Sequence, residues 1–474
     1  MALTSSASHG IEVGRRALQA QQAALNATGH NIANANTPGF SRRQVQLENA
    51  VSGIQGDIGT GSDLAEVTRQ RSRLIDAQMR VQQQILGRWE VQERALGSIE
   101  AIFNEPAGAG SSEAGTIFNQ SSGLGLSGSF SRFWNAWQDL ANVPESGAAR
   151  AVVRQEADFM ATTLHQYYSK LRDSRSEIDA DVSAEVAEIN EMLEELAEIN
   201  GEIPRSSFDG GDASDLRDRR DLIVDELSRK VDISVLENSN GQISILLAGH
   251  NILQEDRVVH LRMRQIVNEG MPVSQVQFDD DGTVVSIREG RLSGLLEVRD
   301  KVVPKLLTDL DAMTLSLVEE VNVLHRDGFG LNGSSGVNFF DPEKTNASNI
   351  AIDDAILNDL NSIAVSADGN PGDNGLALAL SSLRNKRVLA EGTQTMEGFY
   401  HGMLGEIGAQ SGEAQTMAEN HRLFSTQIEN RRQSVQGVSL NDEASQLVLF
   451  QRAYQAAART VSIIDELLEV TVNL

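Results

Sequence analysis

The sequence predicts a multidomain α+β protein, mainly α with an inserted β-rich domain, whose terminal helices pair as a coiled coil ahead of a long helical bundle. Three observations carry this. Residues 437–474 repeat apolar side chains by alternating threes and fours, residues 1–35 repeat them every seven, and between residues 231 and 290 the period falls to two. Aromatic residues make up only 4% of the 474, which fits slender helices and loops better than one large globular core.

The N-terminal seam is Ile11, Leu18, Leu25 and Ile32, with Gly14, Gln21 and Thr28 between them and Ala17, Ala20, Ala24 and Ala27 alongside. Small flanking residues let a second helix approach closely. The helix is expected to stop in the turn Asn34-Ala35-Asn36-Thr37-Pro38-Gly39-Phe40, because the residue before a proline is pushed out of the helical region and Pro-Gly favours a turn. Arg43, Val45 and Leu47 then alternate with Gln44, Gln46 and Glu48 as a short strand or extended arm, and Gly53, Gly56, Gly59 and Gly61 mark a loop.

Helical spacing returns over residues 63–103, with Leu64, Val67, Leu74, Met79, Ile85, Trp89 and Ile99 on the pattern. A Gly- and Ser-rich connection from Pro106 to Ser129 follows. Phe130, Phe133, Trp134, Trp137 and Leu140 form one aromatic helix face, read as core, stopped at Asn142-Val143-Pro144. A long helix over 148–200, ending near Gly201 and Pro204, and a short one over 215–230 complete the first helical stretch. Val231, Ile233 and Val235 and then Ile243, Ile245 and Leu247 flank Asn240-Gly241 as a β-hairpin, and the flanks of Asp281-Gly282 read likewise. Helical pattern runs again from Leu292 past Pro304 to Leu324, and over 376–435, on either side of the Gly-, Asn- and Asp-rich 326–375. The expected domains are 1–62 with 437–474 as the terminal coil, turn and arm; 63–230, 291–330 and 376–436 as the bundle; and 231–290 as the β-rich outer domain, with 331–375 an open addition to it.

The C-terminal seam runs through Leu440, Glu443, Leu447, Phe450, Tyr454, Ala457, Val461, Ile464, Leu468 and Thr471, and Ser439, Asp442 and Glu443 suit a helix start. Large seam residues contribute about 1.5–3 kcal/mol each when fully buried, while ordering the backbone costs ~1–2 kcal/mol per residue. One seam is marginal. The helix therefore needs neighbours on more than one side.

Forty Lys and Arg against 67 Asp and Glu leave a net charge of −27, the opposite of a nucleic-acid binder. The absence of cysteine excludes disulfides and thiolate metal sites. No apolar run approaches the ~18 residues of a membrane span, and MALTSSASHG lacks the apolar core of a cleavable signal. Gly123-Leu124-Gly125-Leu126-Ser127-Gly128 matches GxGxxG without a preceding strand and reads as a helix-capping loop. The consecutive Asp279, Asp280 and Asp281 read as a hairpin turn, since their spacing is not that of a calcium loop. The run DLRDRRD at 215–221 reads as a solvated helix face, with an interdomain salt-bridge network as the alternative. No HExxH pair or nucleophile elbow is present, so catalysis, cofactor and metal have no candidates.

GHNIANANTPGFSRRQVQLE at 29–48 closely resembles the N-terminal motif of bacterial flagellar axial proteins, and LVLFQRAYQAAARTVSIIDELLEVTVNL at 447–474 resembles the matching C-terminal motif. FWNAWQDLANVPESGAARAVV, DASDLRDRRDLIVDELSRKVDISV and GRLSGLLEVRDKVVPKLLTDLDAMTLSLVEEVNVLHRDGFGLNG resemble, within that superfamily, the hook-associated protein 1 family of hook–filament junction proteins. The resemblance implies a structural, non-enzymatic role at the junction outside the cell. It implies a homo-oligomeric ring touching the hook protein and the second junction protein, export by the flagellar apparatus without cleavage, and an export chaperone binding within 437–474. It places Ile11, Leu18, Leu25, Ile32, Leu447, Phe450, Tyr454, Val461, Ile464 and Leu468 in an inner-tube interface. Asn31, Asn34, Asn36, Pro38, Gly39 and Phe40 would form the bend beside it. The alternatives are another axial structural protein, hook or distal rod, with a β-rich middle expected of hook proteins, and an axial-associated wall hydrolase, which should bring a convergent acidic pair and substrate-groove aromatics.

Overall fold

The computed structural model describes residues 2–49, 61–103, 125–208, 213–268 and 270–472. The chain opens with α1 (Ala2–Ala33), the strands β1 (Arg43–Asn49) and β2 (Ser62–Arg69), and the helices α2 (Arg73–Phe103), α3 (Leu126–Asn142), α4 (Gly147–Phe208) and α5 (Ser214–Lys230). The strands β3 (Ile233–Glu237), β4 (Ile243–Leu247), β5 (His250–Gln254), β6 (Arg257–Val258), β7 (Leu261–Asn268) and β8 (Met271–Phe278) follow. Then come α6 (Arg291–Glu297), a π turn at Val298–Val302, α7 (Val303–Arg326), β9 (Phe329–Gly330), α8 (Asp354–Asn358), β10 (Ala364–Ser366), α9 (Gly375–Ser382), α10 (Met396–Gln436) and α11 (Leu440–Val472). The protein is mainly α with small sheets: β3-β4-β5-β6 form a meander, and β1-β2, β7-β8 and β9-β10 form two-stranded pairs. The Gly-rich loop expected over 53–59, most of the 106–129 connection, and Gly123 and Leu124 of the GxGxxG match lie outside the described residues; Gly125 is the N-cap of α3.

Four elements depart from the expected pattern. The helical stretch expected over 376–435 is broken between Ser382 and Met396, where a tight turn with positive φ at Ala390, Glu391 and Gly392 bridges Leu389 to Gln394. The other three are as follows. The helix expected over 63–103 begins only at Arg73, because residues 62–69 are β2, antiparallel to β1. Val45 pairs with Val67 and Leu47 with Leu64, a separation of two on β1 matched to three on β2 by a bulge. That irregularity gives a strand the three-residue spacing of a helix. Second, α4 does not stop at Gly201 or Pro204 but continues to Phe208. Pro204 cannot donate to the carbonyl of Asn200, and that oxygen instead accepts the Gln242 side-chain amide at 3.0 Å. Third, the flanks of Asp281-Gly282 pair only through an isolated bridge between Gln277 and Val284. The turn itself is present, with Asp281 accepting from the Thr283 backbone at 2.7 Å.

The β3–β4 hairpin has the expected partners, Ile233 with Leu247 and Val235 with Ile245. Its sheet sits against α4, where Asn200 brackets Ile243 through both backbone groups at 2.9 and 2.7 Å, and Asn190 does the same for Leu261 at 2.8 and 2.9 Å. At 62 residues and ~1.5 Å per residue, α4 carries both the sheet and the aromatic core. The latter is built by Phe133, Trp134 and Trp137 with Phe339 and Phe340, all buried, Trp137 and Phe339 lying 5.3 Å apart. The segment 331–375 therefore packs on α3, α4 and α7, with Phe339, Phe340, Ile350, Ile352 and Ile356 inside, and β9 pairs with β10. Asn322 of α7 holds this segment through Phe340 O at 2.8 Å and the Phe339 N–H at 2.9 Å. Pro304 opens α7 directly after the π turn, a place where its missing donor is tolerated.

His325, fully buried at the end of α7, accepts the Ala364 N–H on Nε2 at 2.8 Å and donates from Nδ1 to Val337 O at 2.7 Å. Burial pushes its pKa down to about 4, against the opposing bond to Val337. A folded pKa below the unfolded value means stability is complete above pH ~6.5 and is lost as pH falls toward 4, a difference of about 3 kcal/mol. Urea denaturation at pH 7, 6, 5 and 4 should show this decline, and a His325→Leu variant, less stable at pH 7, should lose its share of the slope.

Candidate functional site: the terminal helix pair and its joint

Helices α1 and α11 pack antiparallel along their length, so the two ends of the chain form one rod. The closest approach is made by glycine. A Cβ on Gly14 would stand 2.4 Å from Val461 Cγ2, and one on Gly10 would stand 2.9 Å from Ile464 Cδ1. All ten seam residues, Ile11, Leu18, Leu25, Ile32, Leu447, Phe450, Tyr454, Val461, Ile464 and Leu468, are half-buried, and none is fully covered within the single chain. Among the described residues the buried positions of α1 are the small or polar Gly14, Ala20, Ala24, Ala27, Thr28 and Asn31. Among the described residues the buried one of α11 is Glu443. A second apolar row on α11, with Leu449 at 62%, Ile463 at 57%, Leu467 at 60% and Val470 at 59% exposure, faces outward.

The bend follows α1. Asn34 donates to His30 O at 3.0 Å and accepts the Thr37 hydroxyl at 3.3 Å, closing the helix end. Asn36 and Pro38 are exposed on the turn. Gly39 has φ of +79°, and its Cα lies so near α5 that a Cβ would meet Leu222 at 3.2 Å; the position demands glycine. Phe40 lies 5.4 Å from the His30 ring and under the Arg43 guanidinium at 5.9 Å. Asn31 turns inward: it brackets the Arg43 backbone with two 2.9 Å bonds and donates to Glu443 at 3.1 Å. Glu443 also accepts from Arg42 Nε at 2.6 Å.

Behind the bend lies an ion network that joins coil, arm and bundle. Ser41 donates its hydroxyl to Asp218 at 2.7 Å, and Arg69 reaches Asp218 at 2.8 Å and Asp221 at 3.1 Å. Arg71 pairs with Asp221 and, at 3.2 Å, with Asp76. Asp225 accepts from Arg80 at 3.0 Å and Arg432 at 2.5 Å, and Gln436 at the end of α10 donates to Asp76 at 3.1 Å. Burial would raise the Asp221 carboxyl, but the guanidiniums of Arg220, Arg71 and Arg69 together hold it down to about 2. The DLRDRRD run is thus not a solvated face: Asp218, Asp221 and Asp225 recur at three and four residues, one side of α5, turned toward arginines from β2, α2 and α10. That spacing was the available signal. The arginines that meet it, far along the chain, were not legible. Among the described residues no group of three His, Cys, Asp or Glu is arranged to hold a metal ion, and no helix is long and apolar enough to cross a membrane.

Removing Asp221 leaves three converging guanidiniums without their common carboxylate. Asp221→Ala should cost about 3–5 kcal/mol in urea denaturation. Asp215→Ala, whose carboxylate is 66% exposed beside Arg43, should change stability by no more than about 1 kcal/mol.

Three family models match the chain. They are the flagellar hook-associated protein FlgK helical domain over residues 111–340, the flagella basal body rod protein over 11–40, and the flagellar basal body rod FlgEFG protein C-terminal over 432–474. The flagellar hook-associated protein 1 of Bacillus subtilis (strain 168) is 31% identical, with 98% of this chain and 97% of that protein aligned. The protein of that name from Escherichia coli (strain K12) is 22% identical over 96% of this chain and 98% of its own length. The solved flagellar hook junction protein FlgK of Burkholderia pseudomallei shares the fold, with a TM-score of 0.64 at 13% identity over 76% of this chain and 100% of that one. Two flagellar-type terminal segments folded into one antiparallel rod, on a body that aligns end to end with such a relative, make the chain a member of the flagellar hook-associated protein 1 family.

Proposed function

We propose that this protein is a structural subunit of the bacterial flagellum that joins the hook to the filament, and that its α1–α11 rod enters the axial tube as one of a ring of identical copies. The observation that supports this best is the double apolar character of α11. One row lies half-buried on α1, and a second, Leu449, Ile463 and Val470, stays more than half exposed in the single chain. Exposed apolar rows of this kind are completed by other chains. In the ring, Leu447, Phe450, Tyr454, Val461, Ile464 and Leu468 would be sealed between α1 of the same subunit and helices of its neighbours, with Asn31, Asn34, Asn36, Pro38, Gly39 and Phe40 at the bend outside. The coil with its arm would be the inner layer. The helices of 63–230, 291–330 and 376–436 and the strands of 231–290 would lie outside it. The partners would be the hook protein on one side and the second junction protein on the other. The subunit would leave the cell through the flagellar export apparatus uncleaved, escorted by a chaperone that covers part of 437–474. The role needs no catalysis or cofactor.

Deleting the gene should leave hooks without attached filaments in electron micrographs, and filaments on those hooks would remove the assignment. Leu449→Asp with Ile463→Asp falls on the outward row. The purified double variant should therefore keep the stability of the parent in denaturation but abolish swimming on soft agar. Leu447→Asp with Ile464→Asp should abolish swimming too, while the far-ultraviolet signal of the bundle persists.

A further inference from the structure

We propose that Asn31, Arg42 and Glu443 form a polar key that sets the register in which α1 and α11 pair, with Glu443 as the positioning residue. The apolar seams do not set it well by themselves. Ile11, Leu18, Leu25 and Ile32 recur every seven residues, as do Leu447, Tyr454, Val461 and Leu468. Sliding α11 by one such interval sets apolar side chains against apolar side chains again, and burial, being non-directional, separates such registers weakly.

Glu443 breaks the repeat. It holds the seam place before Leu447, yet its side chain is fully buried and its two oxygens are met by different segments, Asn31 at the end of α1 and Arg42 beyond the bend. Those donors are themselves anchored. Asn31 holds the Arg43 backbone twice at 2.9 Å, while the Arg42 N–H donates to Gln436 O at 3.0 Å and its carbonyl accepts from Gln70 at 2.8 Å. The key therefore draws together the end of α1, the start of β1, the end of α10 and the start of α11.

In the observed register Gly14 stands at Val461 and Asn31 at Glu443. A slip of seven residues one way carries Glu443 to Ala24, only 1% exposed, and leaves a carboxylate in an apolar seam without a donor. The opposite slip carries it past the end of α1 toward Pro38 and sets Asn31 against Phe450. Both alternatives bury an unpaired polar group, the means by which a single polar seam residue selects one pairing in other helix pairs. The short connection at 437–439 opposes slippage as well, and the test separates the two causes.

The chain contains no cysteine, so an introduced pair reports one contact. An ideal Cβ on Gly14 lies 3.8 Å from Val461 Cβ, the separation of about 3.8 Å typical of a disulfide. Full-length, dilute Gly14→Cys/Val461→Cys would report the observed register, and Gly14→Cys with Leu468→Cys or with Tyr454→Cys, each also carrying Val461→Ala to clear the 2.4 Å approach to Gly14, the two slipped ones, by brief oxidation and non-reducing gel mobility. In the parent background the observed pair should exceed either slipped pair by at least about tenfold. Glu443→Leu should bring that ratio toward one while helicity is kept, Glu443→Gln should give an intermediate ratio, and Arg42→Glu with Glu443→Arg should restore it. A ratio near one in the parent, a ratio unchanged by Glu443→Leu, which would assign the register to the connection alone, or a swapped pair that fails to restore it would each overturn the proposal.

Discussion

The placement of the terminal rod and its arm on the bundle depends on the carboxylates of α5. Asp218, Asp221 and Asp225 lie on one side of a 17-residue helix, and they meet arginines that arrive from β2, α2 and α10. Hydrophobic contact brings surfaces together without choosing an angle. Charged hydrogen bonds between guanidinium and carboxylate do choose one, because the donor must lie close to its acceptor and point at it. At the bend these are the contacts of Arg69 and Arg71 with Asp218 and Asp221 and the two bonds from Ser41 to Asp218, and they hold the direction in which the terminal rod leaves the bundle. Breaking one partner of a buried pair is costly even where the intact pair contributes little net stability, so the joint holds its angle at small cost to the fold.

The rod itself is of the opposite character. Its seam is half-buried throughout, and the described residues it hides are a glycine, alanines, a threonine, an asparagine and a glutamate. Little apolar area is removed from water in the single chain, so the rod has scant independent stability and is well suited to being completed from outside. The bundle needs no such completion: Phe133, Trp134, Trp137, Phe339 and Phe340 lie inside it. The division of labour between a self-sufficient body and an incomplete rod is already present in the residue types each part uses.

Periodicity made the helices of the bundle, the pairing of the two ends and the first hairpin legible, since each rests on spacing within one segment. The departures arose where a long-range contact overrode a local rule. Pro204 reads as a helix stop until Gln242, from the far side of a strand, takes over the carbonyl that the proline frees. Leu64 and Val67 read as helical until a bulge in β2 brings a three-residue spacing into register with β1. At the site, the large seam residues were legible and Asn31 stood out in the turn motif, but the burial of Glu443 depends on Arg42 across 401 positions of chain, which no window of sequence displays. The aspartates of α5 had a visible three-and-four spacing, yet only the arginines facing them distinguish an ion network from a wet surface.

One feature of the body bears on mechanics. α4 runs 62 residues without a break, about 93 Å at the ~1.5 Å rise of a helix, holding the sheet near Asn200 at one end and the aromatic core near Arg150 at the other. A helix is stiff along its axis, and this one has no loop in which a load could be dissipated. A displacement of the strands is therefore carried to the far end of α4 through one continuous helix.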